Sequence, residues 1–357
     1  MALSSSTYWR NAGKFVDDLG IAFRFSGLSS AKAFSSTGDV ETRRGQRQDG
    51  LTQDPVSGLL HRYGFTYEQV AKFSKSFPGS ICVEELSPKL RFLRSILESK
   101  NDVIRVVTVN PGVLTSSLKD QLEPNYRFIK SVLEEDDLVA KCIKRWPRIL
   151  RLELEGNLAA TVAFLRSYGF PSVSIAKLME QAPLMFALSS SKLEESLKKT
   201  ERFGFEPSNP MTVCAFRAIS QINESNWEQK LEVYRKWGWS DDEFASAFKK
   251  HPFIMCLSEE KINKGMDVLL NRHGLSSSDI AKFPNIIFFS YEERIIPRCS
   301  VVALLHSKGV LGDRPLSVST YMAALRGKDE AFVKRFVDKY PEHVLELWQK
   351  LRGKAVV

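Results

Sequence analysis

The residues best placed to do chemistry are a cluster of positive charges in the segment LVAKCIKRWPRILRL, residues 138–152. It holds no acidic side chain and five basic ones: Lys141, Lys144, Arg145, Arg148 and Arg151. The first three have i, i+3, i+4 spacing and would form one stripe on a helix, and the other two follow Pro147. Such a stripe can neutralise successive phosphates of a nucleic acid. The alternative is a solvated helix face.

No pattern typical of catalysis or of a bound cofactor accompanies this cluster. The five histidines are isolated from cysteines and carboxylates at metal-ligand spacing. The five cysteines contain no CxxC pair, which favours reduced and mostly buried thiols. There is no glycine-rich phosphate loop. The acidic run at residues 134–137 suits a helix start better than carboxylate catalysis. The sequence therefore predicts a protein that is not an enzyme and holds neither a metal nor a cofactor.

The elements that must position the basic cluster are repeats of about 35 residues. A glycine followed by an apolar residue recurs at intervals of 34 to 36 residues, at Gly169, Gly204, Gly238, Gly274 and Gly309. Prolines keep a similar interval at Pro78, Pro111, Pro147 and Pro183, and return at Pro252 and Pro284. This period predicts an all-α superhelical solenoid of about seven units between residues 63 and 310. The fifth unit has Ala218 and Ile219 where its proline would stand.

Residues 238–275 make the clearest unit. Ser240 and Glu243 form a predicted capping box for a first helix, which Pro252 ends. A short apolar step follows, and then a second amphipathic helix stops at Gly274.

The position just before the proline is basic in several units, which would align charges along the stack. These residues are Lys75, Lys144, Arg145, Lys249, Lys250 and Lys282, and Arg217 lies near the site of the missing proline. Two other units have uncharged or acidic residues there, so the stripe is interrupted. Aromatic residues beside the prolines are expected to pack between repeats rather than to stack on bases.

Composition divides the chain into three parts. Residues 1–55 are rich in serine and arginine, and are predicted to be a transit peptide and disordered linker. Residues 56–316 form the repeat array, and residues 317–357 a C-terminal helical cap.

No apolar run approaches the roughly 20 residues needed to span a bilayer. The net charge is +9, but residues 63–310 carry only 34 basic and 30 acidic side chains. Any nucleic-acid site must therefore depend on where the charges are placed.

Several segments resemble the motifs of the mitochondrial transcription termination factor (mTERF) family, in particular its large plant branch. They are SPKLRFLRS (87–95), RWPRIL (145–150), FLRSYGF (164–170), the unit at 238–275, and RFVDKYPEHVLEL (335–347). The resemblance implies a left-handed superhelix of helix–helix–3₁₀ units in an organelle. It also implies double-stranded nucleic acid bound on the concave face. Members of the family act in transcription termination or initiation, intron splicing and ribosome biogenesis, and none is known as an enzyme.

The predicted function is regulation of organellar transcription termination or initiation by double-stranded DNA binding. Two alternatives stay open: an RNA-binding factor for splicing or ribosome assembly, and a helical scaffold that binds protein. We expect a monomer, with organellar proteins as further candidate partners. Arg24, near a predicted processing site, favours the mitochondrion over the chloroplast.

Overall fold

The computed structural model describes residues 54–76, 82–312 and 315–353, and every regular element in these ranges is helical. The α-helices are α1 Pro55–Tyr63, α2 Tyr67–Ser76, α3 Val83–Ile96, α4 Lys100–Val109, α5 Glu123–Leu133, α6 Asp136–Arg145, α7 Ala160–Ser167, α8 Ser172–Gln181, α9 Ser190–Arg202, α10 Pro210–Ser220, α11 Glu224–Lys236, α12 Asp241–Lys250, α13 Glu259–Asp267, α14 Ser277–Lys282, α15 Ile296–Ser307, α16 Val318–Leu325, α17 Asp329–Phe332 and α18 Pro341–Gly353. The predicted transit peptide and the turn at Pro78 lie outside the described residues.

The helices pair into seven repeats, numbered I to VII, each with a first and a second helix. Repeat I holds α2 and α3, and the pairs continue to α14 and α15 in repeat VII. In five repeats a 3₁₀ turn opened by the proline separates the two helices: Pro111–Leu114, Pro147–Arg151, Pro183–Ala187, Pro252–Cys256 and Pro284–Phe288. The prediction of an all-α fold of about seven helix–helix–3₁₀ repeats is confirmed.

Repeat V, which is described throughout, has no 3₁₀ turn. Its first helix, α10, continues through Ala218 and Ile219 to Ser220. Proline ends a helix because it lacks the N–H donor and disfavours helical backbone in the residue before it. Ala218 and Ile219 have the N–H that proline lacks, so α10 runs through this position to Ser220, and the unit has two helices without a 3₁₀ turn between them.

Repeat VI follows its local sequence signals closely. The Ser240 side chain and the Glu243 side chain form the reciprocal capping box at the start of α12. The helix ends at Lys250, and Ile254 and Met255 of the following turn are fully buried. The second helix continues beyond α13 as a wider, π-type turn over Val268–Arg272. Gly274 then has a φ of +66°, a conformation that favours glycine.

Repeat II ends on a residue that does not suit its backbone. Glu134 follows α5 with a φ of +64°, and it is the one non-glycine residue with positive φ among those described. The corresponding residues after α1, α7 and α11 include Gly64, Gly169 and Gly238, all with positive φ. Repeat II therefore ends differently: Glu134 has a ψ of −40°, whereas Gly64 has one of 11°, and Glu135 N donates to the Leu133 carbonyl at 2.7 Å across Glu134.

The described chain divides into two compact units, residues 54–194 and 195–353, with the division inside α9. In the first unit, α4 packs against α6 and α6 against α8, and the 3₁₀ turns of repeats II, III and IV stack in the same order. In the second unit, α12 packs against α14, and the turns of repeats VI and VII contact each other. The apolar residues after each proline, such as Ile149 and Leu150, are fully buried in these stacks.

Buried or half-buried polar side chains connect a second helix to the turn of the next repeat. Lys89 Nζ donates to the Leu114 carbonyl at 2.8 Å, and Lys230 Nζ donates to the Met255 carbonyl at 2.7 Å. Asn125 Nδ2 donates to the carbonyls of Leu150 at 2.9 Å and Leu152 at 2.8 Å. Lys261 makes the same kind of bond to Phe289. These donors satisfy carbonyls at the end of a 3₁₀ turn that have no partner within the turn.

The C-terminal helices pack on repeat VII. α15 contacts both α16 and α18. Arg298, which is 1% exposed, donates to the Ala324 carbonyl at 2.9 Å and pairs with Asp329 at 2.5 Å. α18 begins at Pro341, which stands at its first position.

Candidate nucleic-acid interface

The basic cluster is built on α6 and on the 3₁₀ turn that follows it. Asp136 and Asp137 lie in the first turn of α6, and Lys144 and Arg145 in its last turn. Acidic residues at the start and basic residues at the end of a helix both complement its dipole. The helix dipole therefore explains the position of the last-turn cations. Their contacts show which of them pack against other elements and which are available to a ligand.

Lys144 and Arg145 form contacts with other repeats of the first unit. The Lys144 side chain is 18% exposed, and its Nζ lies 3.0 Å from Glu98 Oε2 and 3.8 Å from Asp102 Oδ2. Arg145 is exposed, and its Nη1 donates to the Gln181 carbonyl at the end of α8 at 2.9 Å. Both cations hold neighbouring elements together.

Arg151 also joins two repeats. Its Nε donates to Ser116 Oγ at 3.1 Å, and its Nη1 donates to Asn110 Oδ1 at 3.3 Å. The guanidinium lies so close to Gly112 that an added Cβ would come within 2.3 Å of Nη1. Burial first, and then the charge of Arg148, lowers the pKa of Arg151. This side chain belongs to the packing between the turns of repeats II and III.

Lys141 and Arg148 are the members of the cluster that remain open to a ligand. Both side chains are exposed, and neither forms a hydrogen bond or an ion pair with the described residues. Lys75, in the last turn of α2, is exposed as well. Among the cations predicted from the sequence in the first unit, these are the ones that a phosphate could reach without displacing an internal partner.

The predicted residues of the second unit divide in the same way. Lys249 is exposed and has no hydrogen-bond or ion-pair partner among the described residues. Lys250 Nζ donates to the Lys282 carbonyl at 3.2 Å, while Lys282 Nζ pairs with Asp279 at 3.2 Å. Arg217 is only 6% exposed, and its guanidinium lies 5.3 Å from the centre of the Phe253 ring. Burial removes Arg217 from any surface that a nucleic acid could contact.

The mTERF family model matches two overlapping ranges, residues 58–207 and 156–333, which together span most of the chain. The chain belongs to the mTERF family. Transcription termination factor MTERF15, mitochondrial, from Arabidopsis thaliana is 25% identical over 322 residues, covering 88% of this chain and 60% of that protein. Transcription termination factor MTERF8, chloroplastic, from the same plant is 22% identical over 127 residues, covering 36% of this chain and 25% of that protein. The chain thus spans less than two thirds of the length of these relatives.

The aromatic residues beside the prolines of this mTERF protein mostly contribute to packing. Phe288 and Phe289 are buried, and Trp146, Phe253 and Tyr291 are half-buried. Tyr291 Oη accepts a hydrogen bond from Lys264 Nζ at 3.1 Å. Their surroundings fit the expected role in contacts between repeats.

The described parts of the chain offer neither a metal site nor a membrane-spanning helix. No group of three or more histidine, cysteine, aspartate or glutamate side chains there is arranged to hold a metal ion. None of the helices described has both the length and the apolar character needed to cross a membrane. The five cysteines are free, and burial raises the pKa of Cys214 and of Cys256 to about 11. Thiols with such a pKa are poorly ionised at neutral pH.

One set of basic residues was missed by inspection of the local sequence. When the repeats are aligned on their prolines, Lys141 has counterparts six residues before the proline in the neighbouring repeats: Lys72, Arg105 and Lys177. The cluster at 138–152 is apparent from the local sequence because its charges are close together there. A set with one member in each repeat becomes visible only when positions are compared across repeats.

Proposed function

We propose that this mTERF protein regulates organellar gene expression by binding double-stranded DNA with the exposed cations of its first helices and 3₁₀ turns. The observation that carries the proposal is that Lys141 and Arg148 stay exposed and unpartnered among the described residues, while Lys144, Arg145 and Arg151 are engaged in packing. Two relatives named as transcription termination factors support a role in transcription.

The expected binding is electrostatic and strongly dependent on salt. Each phosphate neutralised on a duplex adds about 0.9 to the slope of log affinity against log salt concentration. The mild net charge of the repeats means that a few placed cations, rather than a bulk field, must supply this slope. Lys141 and Arg148 would together supply about 1.8 of it.

Charge reversal tests this assignment. The double variant Lys141→Glu/Arg148→Glu should bind a fluorescein-labelled random-sequence duplex at least about tenfold more weakly, with a slope reduced by about 1.8. The matched control is Lys119→Glu/Arg166→Glu, which reverses two exposed cations of the same unit. Lys119 lies in the turn just before α5, and Arg166 lies in α7. Equal affinities and slopes for the two double variants in anisotropy titrations would remove Lys141 and Arg148 from the interface.

The nature of the nucleic acid needs a separate experiment. Crosslinking in isolated organelles, followed by sequencing of the bound material, should recover DNA fragments that cluster at a small number of positions. Recovery of intron-containing or ribosomal RNA instead would replace transcription by splicing or ribosome assembly as the task.

The proposed compartment is the mitochondrion, on the basis of Arg24 in the N-terminal segment. The names of the two relatives include one mitochondrial and one chloroplastic protein. Residues 1–55 fused to a fluorescent protein should direct it to mitochondria, and import into chloroplasts would contradict the proposal.

A further inference from the structure

One position of the repeat carries a cation in every repeat whose first helix lies in the first unit. Six residues before the proline, repeats I to IV have Lys72, Arg105, Lys141 and Lys177. In repeats VI and VII of the second unit the same position is Ser246 and Ser278. In repeat V, where Ala218 stands in place of the proline, the position six residues earlier is Thr212.

The cations at this position lie on helices that pack side by side. α4 carries Arg105, α6 carries Lys141 and α8 carries Lys177, and these helices contact each other in that order. Helices in contact have axes about 8–10 Å apart, so equivalent positions on them form a row with roughly that step. Lys72 lines a small cavity together with Val107 and Thr108 of α4, which places it next to the row.

No contact with another repeat accounts for the charges of Arg105, Lys141 and Lys177. Arg105 and Lys141 are exposed and form no hydrogen bond or ion pair with the described residues. Lys177 has an ion pair only within its own helix, to Glu180 at 3.6 Å. By contrast, the cations two and three residues before the proline in repeat III, Arg145 and Lys144, contact other repeats.

Exposure to solvent does not require a cation at this position either. Ser246 and Ser278 occupy it in the second unit and are also exposed. Cations at this position in four consecutive repeats, followed by serine in the other unit, therefore indicate a property of the first unit. Packing between repeats does not explain those at Arg105, Lys141 and Lys177.

We propose that Lys72, Arg105, Lys141 and Lys177 form a row of phosphate contacts by which repeats I to IV hold the backbone of a nucleic acid. This inference rests on the proposed nucleic-acid-binding function and locates it. One charge per repeat neutralises one phosphate per contact. Contacts to phosphate supply affinity and orientation but carry no base preference, so the row should act equally on all sequences.

A neutralising triple variant tests the row in the full-length protein. Arg105→Gln/Lys141→Gln/Lys177→Gln should reduce the salt slope for a fluorescein-labelled random-sequence DNA duplex by about 2.7. The loss of affinity should be the same on duplexes of different sequence. Arg105 and Lys141 are exposed, and Lys177 is half-buried with an ion pair only within its own helix, so thermal unfolding followed by circular dichroism should match that of the wild type.

The control triple is Arg91→Gln/Lys119→Gln/Arg166→Gln, which removes the same charge from exposed positions of the first unit. These lie in α3, in the turn just before α5, and in α7. It should retain most of the wild-type slope. Equal slopes for the two triples, with the wild type binding normally, would overturn the row and leave the proposed function in place. A wild-type protein without affinity for nucleic acid at low salt would overturn both.

A second probe distinguishes duplex DNA from RNA as the source of the phosphates. The same titrations on a single-stranded RNA of matched sequence should show a smaller decrease of about 2.1 in slope if the row also binds RNA. An effect of the triple variant on RNA, with none on duplex DNA, would contradict the assignment to a DNA duplex.

Discussion

Glu134 has a positive φ, a backbone conformation that residues with a Cβ rarely adopt. A non-glycine residue at positive φ costs on the order of 1–3 kcal/mol, and glycine stands at the corresponding place in several other repeats. Glu134→Gly should therefore raise the free energy of unfolding by about 1 kcal/mol, after the larger backbone entropy of glycine in the unfolded chain is subtracted.

Glu135→Gly is the matched control for that change. It removes the same charge one residue later, where φ is already −92°, so it relieves no strain and should be neutral or destabilising. Thermal unfolding of the two variants compares them directly. A Glu134→Gly protein no more stable than Glu135→Gly would show that the surrounding structure does not hold Glu134 under strain.

His251 links stability to pH. Burial first, and then the charges of Arg326 and Lys250, lowers the pKa of His251 to about 4 from an ordinary value of 6.5. The unfolded state therefore binds more protons than the folded state between about pH 4 and 6.5. Stability should be fully present above pH 6.5 and fall as the pH drops through this window, by on the order of 3 kcal/mol. The lowered pKa of His273, also caused mainly by burial, acts in the same direction.

His251→Phe should flatten this acid dependence, because phenylalanine has no proton to bind. Phe283 already stands at the equivalent position before Pro284, with a similar backbone conformation, so the substitution fits the turn. Urea unfolding at several pH values between 4 and 7 measures the difference. Parallel stability curves for wild type and variant would assign the acid sensitivity to other groups.

At the scale of elements, the bonds from second helices to the following turns determine how repeats stack. Asn125 is 1% exposed and provides donors for two carbonyls of repeat III. Asn125→Leu leaves both buried acceptors without that partner and should cost about 2 kcal/mol. The control Asn101→Leu changes an exposed asparagine of α4 and should stay within about 0.5 kcal/mol of the wild type. Equal urea midpoints for the two variants would show that these bonds add little.

The elements that could be predicted from sequence are those specified by neighbouring residues. Pro147 and Pro252 mark the 3₁₀ turns because a proline acts on its own helix, and Gly274 marks a helix end because its backbone needs positive φ. The partners of Lys144 could not be predicted in this way. Glu98 lies 46 residues earlier in the chain, and only the packing of repeats brings the two side chains together.

The same distinction explains why several candidate binding residues form contacts within the protein. Adjacent charges before a proline suggested one stripe, yet Lys144, Arg145 and Lys250 bond to other elements, and Arg217 is buried. Helix periodicity identifies a shared face but does not show whether that face meets a neighbouring repeat or solvent. Comparison of equivalent positions across repeats adds candidates that local charge density does not indicate, and Arg105 is an exposed example.

At the scale of the whole molecule, the chain combines a modest net charge of +9 with many cations already engaged in its own packing. Lys89, Lys230 and Arg298 are examples whose donors satisfy backbone carbonyls. The total of basic residues therefore overstates what is available to a polyanion. Binding must come from the smaller exposed set.

The most direct test of this account is the affinity of the full-length protein for a random-sequence DNA duplex, measured between about 50 and 200 mM salt. The account predicts a linear fall of log affinity with log salt concentration, with a slope steeper than about −2.7, the share of three phosphate contacts. An affinity that does not change with salt, or no binding at the lowest salt together with a stoichiometric protein partner in pull-downs, would contradict it. The second outcome would identify the repeats as a protein-binding scaffold.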